Sequence, residues 1–192
     1  MDTIIQDKTF DKVNFTVAPL HKGEYENCSF INCDFSATAF AGIVFIDCSF
    51  TNCNLSLVKL GNTVLRDVVF TGCKMLGLHF ETCNQYGLSV KFTDCTLNHS
   101  SFYKTKIKKT QFKNCQLHEI DLTECDLTEA SFYNCDFAKA AFENTVLEKA
   151  DFRTSYNFSI DPMRNRIAKA KFSLSSVAGL LGRYDIMIDG KS

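Results

Sequence analysis

The sequence predicts an all-β fold, a chain wound as a square coil whose C-terminal end is closed by a short helix and strand. Three observations carry this. An apolar residue recurs every fifth position from Phe10 through Phe15, Leu20, Tyr25 and Phe30 to Phe80, and again from Phe92 through Leu97, Phe102 and Ile107 to Phe152. A period of five fits neither a helix nor a flat strand, so the chain must turn a corner once per beat. A second inward position lies two residues before each beat, and small or β-branched residues or cysteine fill it. Opposite charges recur at a spacing of 20, as in Lys104 and Glu124, Lys106 and Asp126, His99, Glu119 and Lys139, and the column Lys109, Glu129, Lys149. Four sides of five residues close a square, and residues 20 apart stack at the inter-strand spacing of ~4.8 Å. About eight such layers give a rod ~40 Å long. Its two ends expose core and unpaired backbone, and both call for caps.

The coil spans residues 1–174 and is interrupted twice. Residues 81–91 carry two residues more than the beat allows, which predicts a small loop at Gln85, Tyr86 and Gly87, with Gly87 in a backbone region closed to other residues. Residues 154–166 keep phase, but Asn157 and Pro162 cannot fill apolar slots, so part of that segment should bulge outward. Residues 175–192 break the pattern. Ser175 to Tyr184 read as a helix with a serine cap and a glycine stop, and Asp185 to Ile188 as a short strand. Leu180, Leu181, Tyr184, Ile186 and Ile188 exceed what a plug needs, which predicts a self-complementary dimer contact.

Ten cysteines raise the question of disulfides. All ten hold the phase of the small inward slot, so they read as free, buried thiols. Asn114 and Asn134 are placed for a short amide ladder. Phosphate loops, nucleophile motifs and convergent metal ligands are absent from the sequence, and a rod filled with phenylalanine has no substrate cleft, so the chain reads as a non-enzyme without cofactor or metal. The first residues lack a basic region followed by a long apolar run, and the chain reads as cytoplasmic, with no membrane contact.

Cys33-Asp34-Phe35, Cys135-Asp136-Phe137 and Ala150-Asp151-Phe152 resemble the repeat of the pentapeptide-repeat family, roughly Ala-Asp/Asn-Leu-X-X. The resemblance covers about residues 5–175 and implies a right-handed quadrilateral β-helix. The tail and the interruption near Tyr86 are similar to the Qnr and MfpA group. That likeness implies dimerisation through the C-terminus, binding to DNA gyrase and topoisomerase IV by imitation of duplex DNA, and protection from quinolones. Qnr proteins with strong protective activity carry projecting loops, whereas here there is room only for the small insertion after Phe80.

Net charge is −1, but it is unevenly spread: residues 81–117 carry +4, residues 118–151 carry −7 and residues 152–192 carry +4. Within the acidic band, Asp121, Asp136, Glu143, Glu148 and Asp151 have no opposite charge one layer away at a spacing of 20, which marks them as candidate contacts for a cationic partner. The basic run Lys104 to Lys109 is largely matched by acids in the next layer, and no groove-reading motif accompanies it, which argues against direct nucleic-acid binding.

Overall fold

The computed structural model describes residues 3–184 and 186–189. Eleven short strands follow in order: β1 (Thr3–Gln6), β2 (Thr9–Asp11), β3 (Gly23–Glu26), β4 (Ser29–Ile31), β5 (Val44–Ile46), β6 (Ser49–Thr51), β7 (Val64–Arg66), β8 (Val68–Thr71), β9 (Val90–Thr93), β10 (Gln111–Lys113) and β11 (Ser131–Tyr133). They form two parallel sheets on adjoining sides of a right-handed quadrilateral β-helix. One has the order β1-β3-β5-β7 and the other β11-β10-β9-β8-β6-β4-β2. The other two sides are linked by single bridges such as Asn14 with Asp34 and Ala39 with Lys59.

Register follows the beat. Phe10 pairs with Phe30, and Phe30 with Phe50. Across the insertion the step lengthens by two, pairing Val68 with Val90 and His79 with Ser101, and the earlier spacing then returns. The beat on one side is phenylalanine throughout, so its rings stack through nine layers: Phe10, Phe30, Phe50, Phe70, Phe92, Phe112, Phe132, Phe152 and Phe172, with centroids 4.7–5.4 Å apart. Rings of adjacent sides meet edge to face, as Phe80 does with Phe92 at 5.8 Å.

Corners form two residues after each beat, where the backbone turns left-handed. Asn32, Asn52, Asn114 and Asn134 have φ between 51° and 53°, and Gly72 has φ +64°. Asparagine tolerates this region better than other chiral residues. The expected amide ladder forms, with Asn134 Nδ2 donating to Asn114 Oδ1 at 3.1 Å and Asn114 to Asp94 at 2.8 Å. Leu57 occupies such a corner at φ 61° and is 61% exposed, so it carries the conformational cost without burial in return. Leu57→Asn is expected to stabilise the protein by about 0.5–1 kcal/mol and to raise Tm by about 1–4 °C. A melting curve shifted downward would contradict that account of the corner.

All ten cysteines are free and buried. Eight of them follow a corner that ends a strand-bearing side, and their thiols donate to the carbonyl two residues back, as in Cys33 to Ile31 and Cys73 to Thr71. Where a hydroxyl takes the slot, it bonds a carbonyl of the preceding layer, as Thr63 does to Phe40, Thr145 to Leu122 and Ser155 to Phe132, or one three residues back, as Thr38 does to Phe35 and Thr105 to Phe102. Burial pushes the Cys48 thiol up to about 11 and those of Cys83 and Cys125 to about 12.

The insertion is a tied loop. Phe80–Thr82 makes one 3-10 turn, the Gln85 amide donates to the carbonyls of Phe80 and Cys83, and Gly87 has φ +73° as expected. The loop caps the β7 edge, with Asn84 N–H donating to Thr63 and Ser89 N–H to Leu65. In the second irregular segment, Phe158 and Ile160 turn inward in place of Asn157 and Pro162, and Met163 projects into solvent.

The tail differs from expectation. It forms two 3-10 turns, Val177–Leu180 and Gly182–Tyr184, rather than an α-helix, and Ser176 makes no side-chain cap bond. Its hydroxyl instead meets that of Ser173 at 2.7 Å. So short a segment, with glycines at 179 and 182, cannot propagate α-helical hydrogen bonds. Ile186 to Asp189 are irregular rather than a strand, and Asp185 lies outside the described residues. The tail nevertheless closes the coil: Ile160 N–H donates to the Gly179 carbonyl at 2.9 Å, and Leu180 packs on the core. At the opposite end, among the described residues, no cap covers a cavity of about 750 Å³ lined by Ile5, Phe10, Val13, Phe15, Leu20 and Tyr25. Lys8 stands in the inward slot of that first layer, and Pro19 lies on its edge. Charge and proline of this kind discourage strand addition.

Candidate functional site

The aspartates of the acidic band build the corners. Asp121, Asp126, Asp136 and Asp151 each stand one residue before a beat, and in each the Oδ1 accepts the N–H two residues on, at 2.9–3.2 Å. Asn14, Asp34 and Asn54 do the same elsewhere in the coil. This local turn explains why Asp or Asn recurs before the large residue. The signal was present in the sequence as that recurrence.

Three of the five candidates are also paired with arginines and a fourth meets a histidine, contrary to expectation. Asp136 meets His118 at 2.9 Å, Asp151 meets Arg153 at 2.7 Å, Glu143 meets Arg164 at 3.1 Å and Glu148 meets Arg166 at 2.6 Å. None of these partners lies 20 residues away. They sit at offsets of 2, 18 or 21, within reach of a long side chain leaning across a corner. The basic segment after residue 152 thereby folds back over the acidic band. Among the described residues, Asp121 makes no ion pair and Asp136 meets only an imidazole, whereas Glu143, Glu148 and Asp151 each meet a guanidinium. Partial burial pushes the Asp136 carboxyl up, but hydrogen bonds from Asn157, His118 and Ala138 N–H together hold it below the ordinary aspartate range. For Asp151 the Arg153 guanidinium is the main cause of a lowered pKa.

The columns expected at a spacing of 20 form for Lys104 with Glu124 at 3.4 Å, His99 with Glu119 at 3.5 Å, Glu119 with Lys139 at 3.7 Å, and Lys109 and Lys149 with Glu129 at 3.8 and 3.0 Å. Lys106 does stack on Asp126 through the backbone, but Lys108 supplies the ammonium, at 3.1 Å. Three lysines of the basic run are thus engaged by acids.

An acidic surface that sequence reasoning missed lies in the first half. Glu24 and Glu26 face outward from β3, and Asp47 and Asp67 hold successive corners beside that sheet. Among the described residues, no ion pair forms upstream of His79. The modest net charge of that half hid the surface, and Arg66 of β7 stands on the same sheet, two layers above Glu26. The insertion loop adjoins it. Tyr86 is 81% exposed, and the Arg66 guanidinium lies 5.9 Å from its ring centre. The tail presents Leu174, Tyr184, Ile186 and Ile188 to solvent, while Leu180 and Leu181 are half-buried.

A filled solenoid with outward charge and no internal cleft along its shaft is a protein of the repeat class, whose usable surfaces are its sides and ends. Among the described residues, no group of three or more His, Cys, Asp or Glu side chains converges as a metal site, and no helix is long and apolar enough to cross a membrane. The model of the pentapeptide repeat region matches residues 23–88 and 79–152, and the chain belongs to the pentapeptide repeat family. Among solved structures, the plasmid-mediated fluoroquinolone resistance protein QnrB1, in a trypsin-treated form, is similar over 98% of both chains at 18% identity and a TM-score of 0.62. HetL, a pentapeptide repeat protein involved in heterocyst differentiation regulation in the cyanobacterium Nostoc, is similar over 89% of this chain and 86% of its own, at 13% identity and a TM-score of 0.68. No curated protein matches the chain.

Proposed function

We propose that the protein is a non-enzymatic rod that binds DNA gyrase or topoisomerase IV on the surface those enzymes use for DNA, as a homodimer joined through its C-terminal tail. The observation that carries this reading is the acidic ridge of Glu24, Glu26, Asp47 and Asp67, which lies on one side of the coil and makes no ion pair among the described residues, with Arg66 as the cation on the same sheet. A cationic DNA channel attracts such a ridge within a Debye length of ~8–10 Å. The similarity to QnrB1, a plasmid-mediated fluoroquinolone resistance protein, supports the choice of partner. Asp121 is a secondary contact, and Glu143, Glu148 and Asp151 contribute less because an arginine already matches their charge, while Asp136 is tied to His118 and to its own turn.

A gyrase supercoiling assay, with and without a quinolone, tests this. Wild-type protein is expected to change supercoiling at micromolar concentration. The double variant Asp47→Asn, Asp67→Asn should weaken the effect about tenfold, since each lost contact of ~0.7 kcal/mol is about threefold. Asn is itself a favoured corner residue here, so the coil survives the change. Asp136→Asn is expected to have little effect. A wild-type protein without influence on either enzyme removes the reading. A second reading, a scaffold for some other protein partner, draws on the largely paired band 118–151, and copurification of a different partner would favour it.

A further inference from the structure

One inner corner of the rod holds a file of thiols that partner binding does not use. Cys33, Cys53, Cys73, Cys95, Cys115 and Cys135 occupy the same slot in successive layers, and all are buried and unoxidised. The insertion does not break the file, because Lys74 bridges to Thr96 and so carries Cys73 onto Cys95. Each thiol of the file donates to a backbone carbonyl, as Cys53 does to Thr51, so no sulfur is bonded to its neighbour above or below. The file ends at Val13 and Ser155. The other four cysteines make no such file: Cys28 and Cys48 stack as one pair, and Cys83 and Cys125 stand apart.

Disulfides do not suit this geometry. In-register parallel positions hold their Cβ atoms about one strand spacing apart, ~4.8 Å, whereas a disulfide needs roughly 3.5–4.5 Å. A bridging metal ion suits it well. A thiolate lies roughly 2.3 Å from a d10 ion such as zinc, so an ion midway between two sulfurs needs them ~4.6 Å apart, close to the repeat of the coil. Soft thiolates select soft monovalent ions such as Cu(I).

We propose that the file is a one-dimensional site for soft monovalent d10 cations, Cu(I) or Ag(I), each bridging two sulfurs of adjacent layers. Two thiols and one cation give a linear S–metal–S bridge with a single negative charge, two protons leave to solvent, and no electron is transferred. Six stacked thiols leave five gaps. A full file therefore sets six thiolates against five cations and again carries one negative charge. Burying charge is costly, so a continuous file holds five ions for the electrostatic cost that an isolated pair meets for one. Filling is accordingly cooperative.

The test is anaerobic titration of the reduced protein with silver nitrate and with acetonitrile-stabilised Cu(I), counting ions by native mass spectrometry and following the fold by circular dichroism. Cys95→Val splits the file into three thiols and two, leaving two gaps and one, so the bound count should fall by two. Cys125→Val, buried but outside the file, should leave the count unchanged. Valine already fills equivalent slots at Val58 and Val68. If Cys95→Val does not fold, Cys33→Val at the end of the file should lose one ion. Equal losses for the Cys95 and Cys125 variants, uptake only with loss of the β signal, or no uptake by the folded protein would each overturn the proposal.

Discussion

Replacing Phe92 by alanine is expected to cost about 3–5 kcal/mol and to split the unfolding of the rod into two transitions. Phe92 stands in the nine-ring stack, 5.4 Å from Phe70 and 4.9 Å from Phe112, with Phe80 and Phe102 meeting its edges at 5.8 and 6.1 Å. It also occupies the layer that follows the insertion. There the four-stranded sheet has already ended at β7, and only the second sheet continues, through β8 and β9. In a solenoid, each layer is stabilised by itself and by its two neighbours, so the weakest interface decides whether the array unfolds as one unit. Losing the ring removes packing from both sides of the junction at once. Guanidinium titration should show two steps for the variant against one for the wild type. Phe152→Ala keeps the junction intact and should lower stability with a single step. A Phe92→Ala protein that melts in one step with under ~1 kcal/mol lost would show that the two halves are not coupled through this layer.

What the sequence made legible was whatever repeats through the backbone. The five-residue beat placed Phe45, Phe112 and Phe137 in the core, and the two-residue excess after Phe80 gave the step from Val68 to Val90. The thiols followed from the same phase, since a slot two before a beat faces inward whatever fills it. Side chains that lean off their own column were not legible. Arg164 reaches Glu143 and Arg166 reaches Glu148 because a guanidinium on a flexible stem crosses a corner, and a rule of strict stacking cannot see that. Lys108 displaces Lys106 at Asp126 for the same reason. The tail was misread because serine and glycine mark a helix boundary in general, whereas here Ser176 is occupied by Ser173 and Gly179 is used for closeness rather than as a stop. The open acidic ridge was hidden by averaging charge over a half of the chain, when the four sides of the coil divide it unequally.

That closeness at Gly179 makes it the second site of large effect. Gly179→Val is expected to lift the tail from the coil, lower stability by about 3 kcal/mol and abolish the proposed dimer. A Cβ at this position would fall on the Phe158 carbonyl oxygen and lie 2.6 Å from its ring, so no side chain fits while the tail is docked. The ring cannot retreat, because Phe158 packs against Phe152 at 5.7 Å and Phe172 at 5.5 Å. Undocking breaks the bond from Ile160 N–H to the Gly179 carbonyl and uncovers Phe158 and Ile160, now 5% and 1% exposed. Each such side chain contributes about 1.5–3 kcal/mol when fully buried, and partial exposure of both leads to the figure above. The same movement scatters the exposed Tyr184, Ile186 and Ile188, the side chains of the proposed dimer contact. Gly61→Ala serves as the control, since nothing lies within 4 Å of its added carbon, and it should shift stability by no more than ~0.5 kcal/mol. Light scattering and a thermal melt decide the matter. A Gly179→Val protein with wild-type Tm would refute the docked tail as the cap, and one that stays dimeric while its tail is released would place the dimer contact elsewhere on the rod.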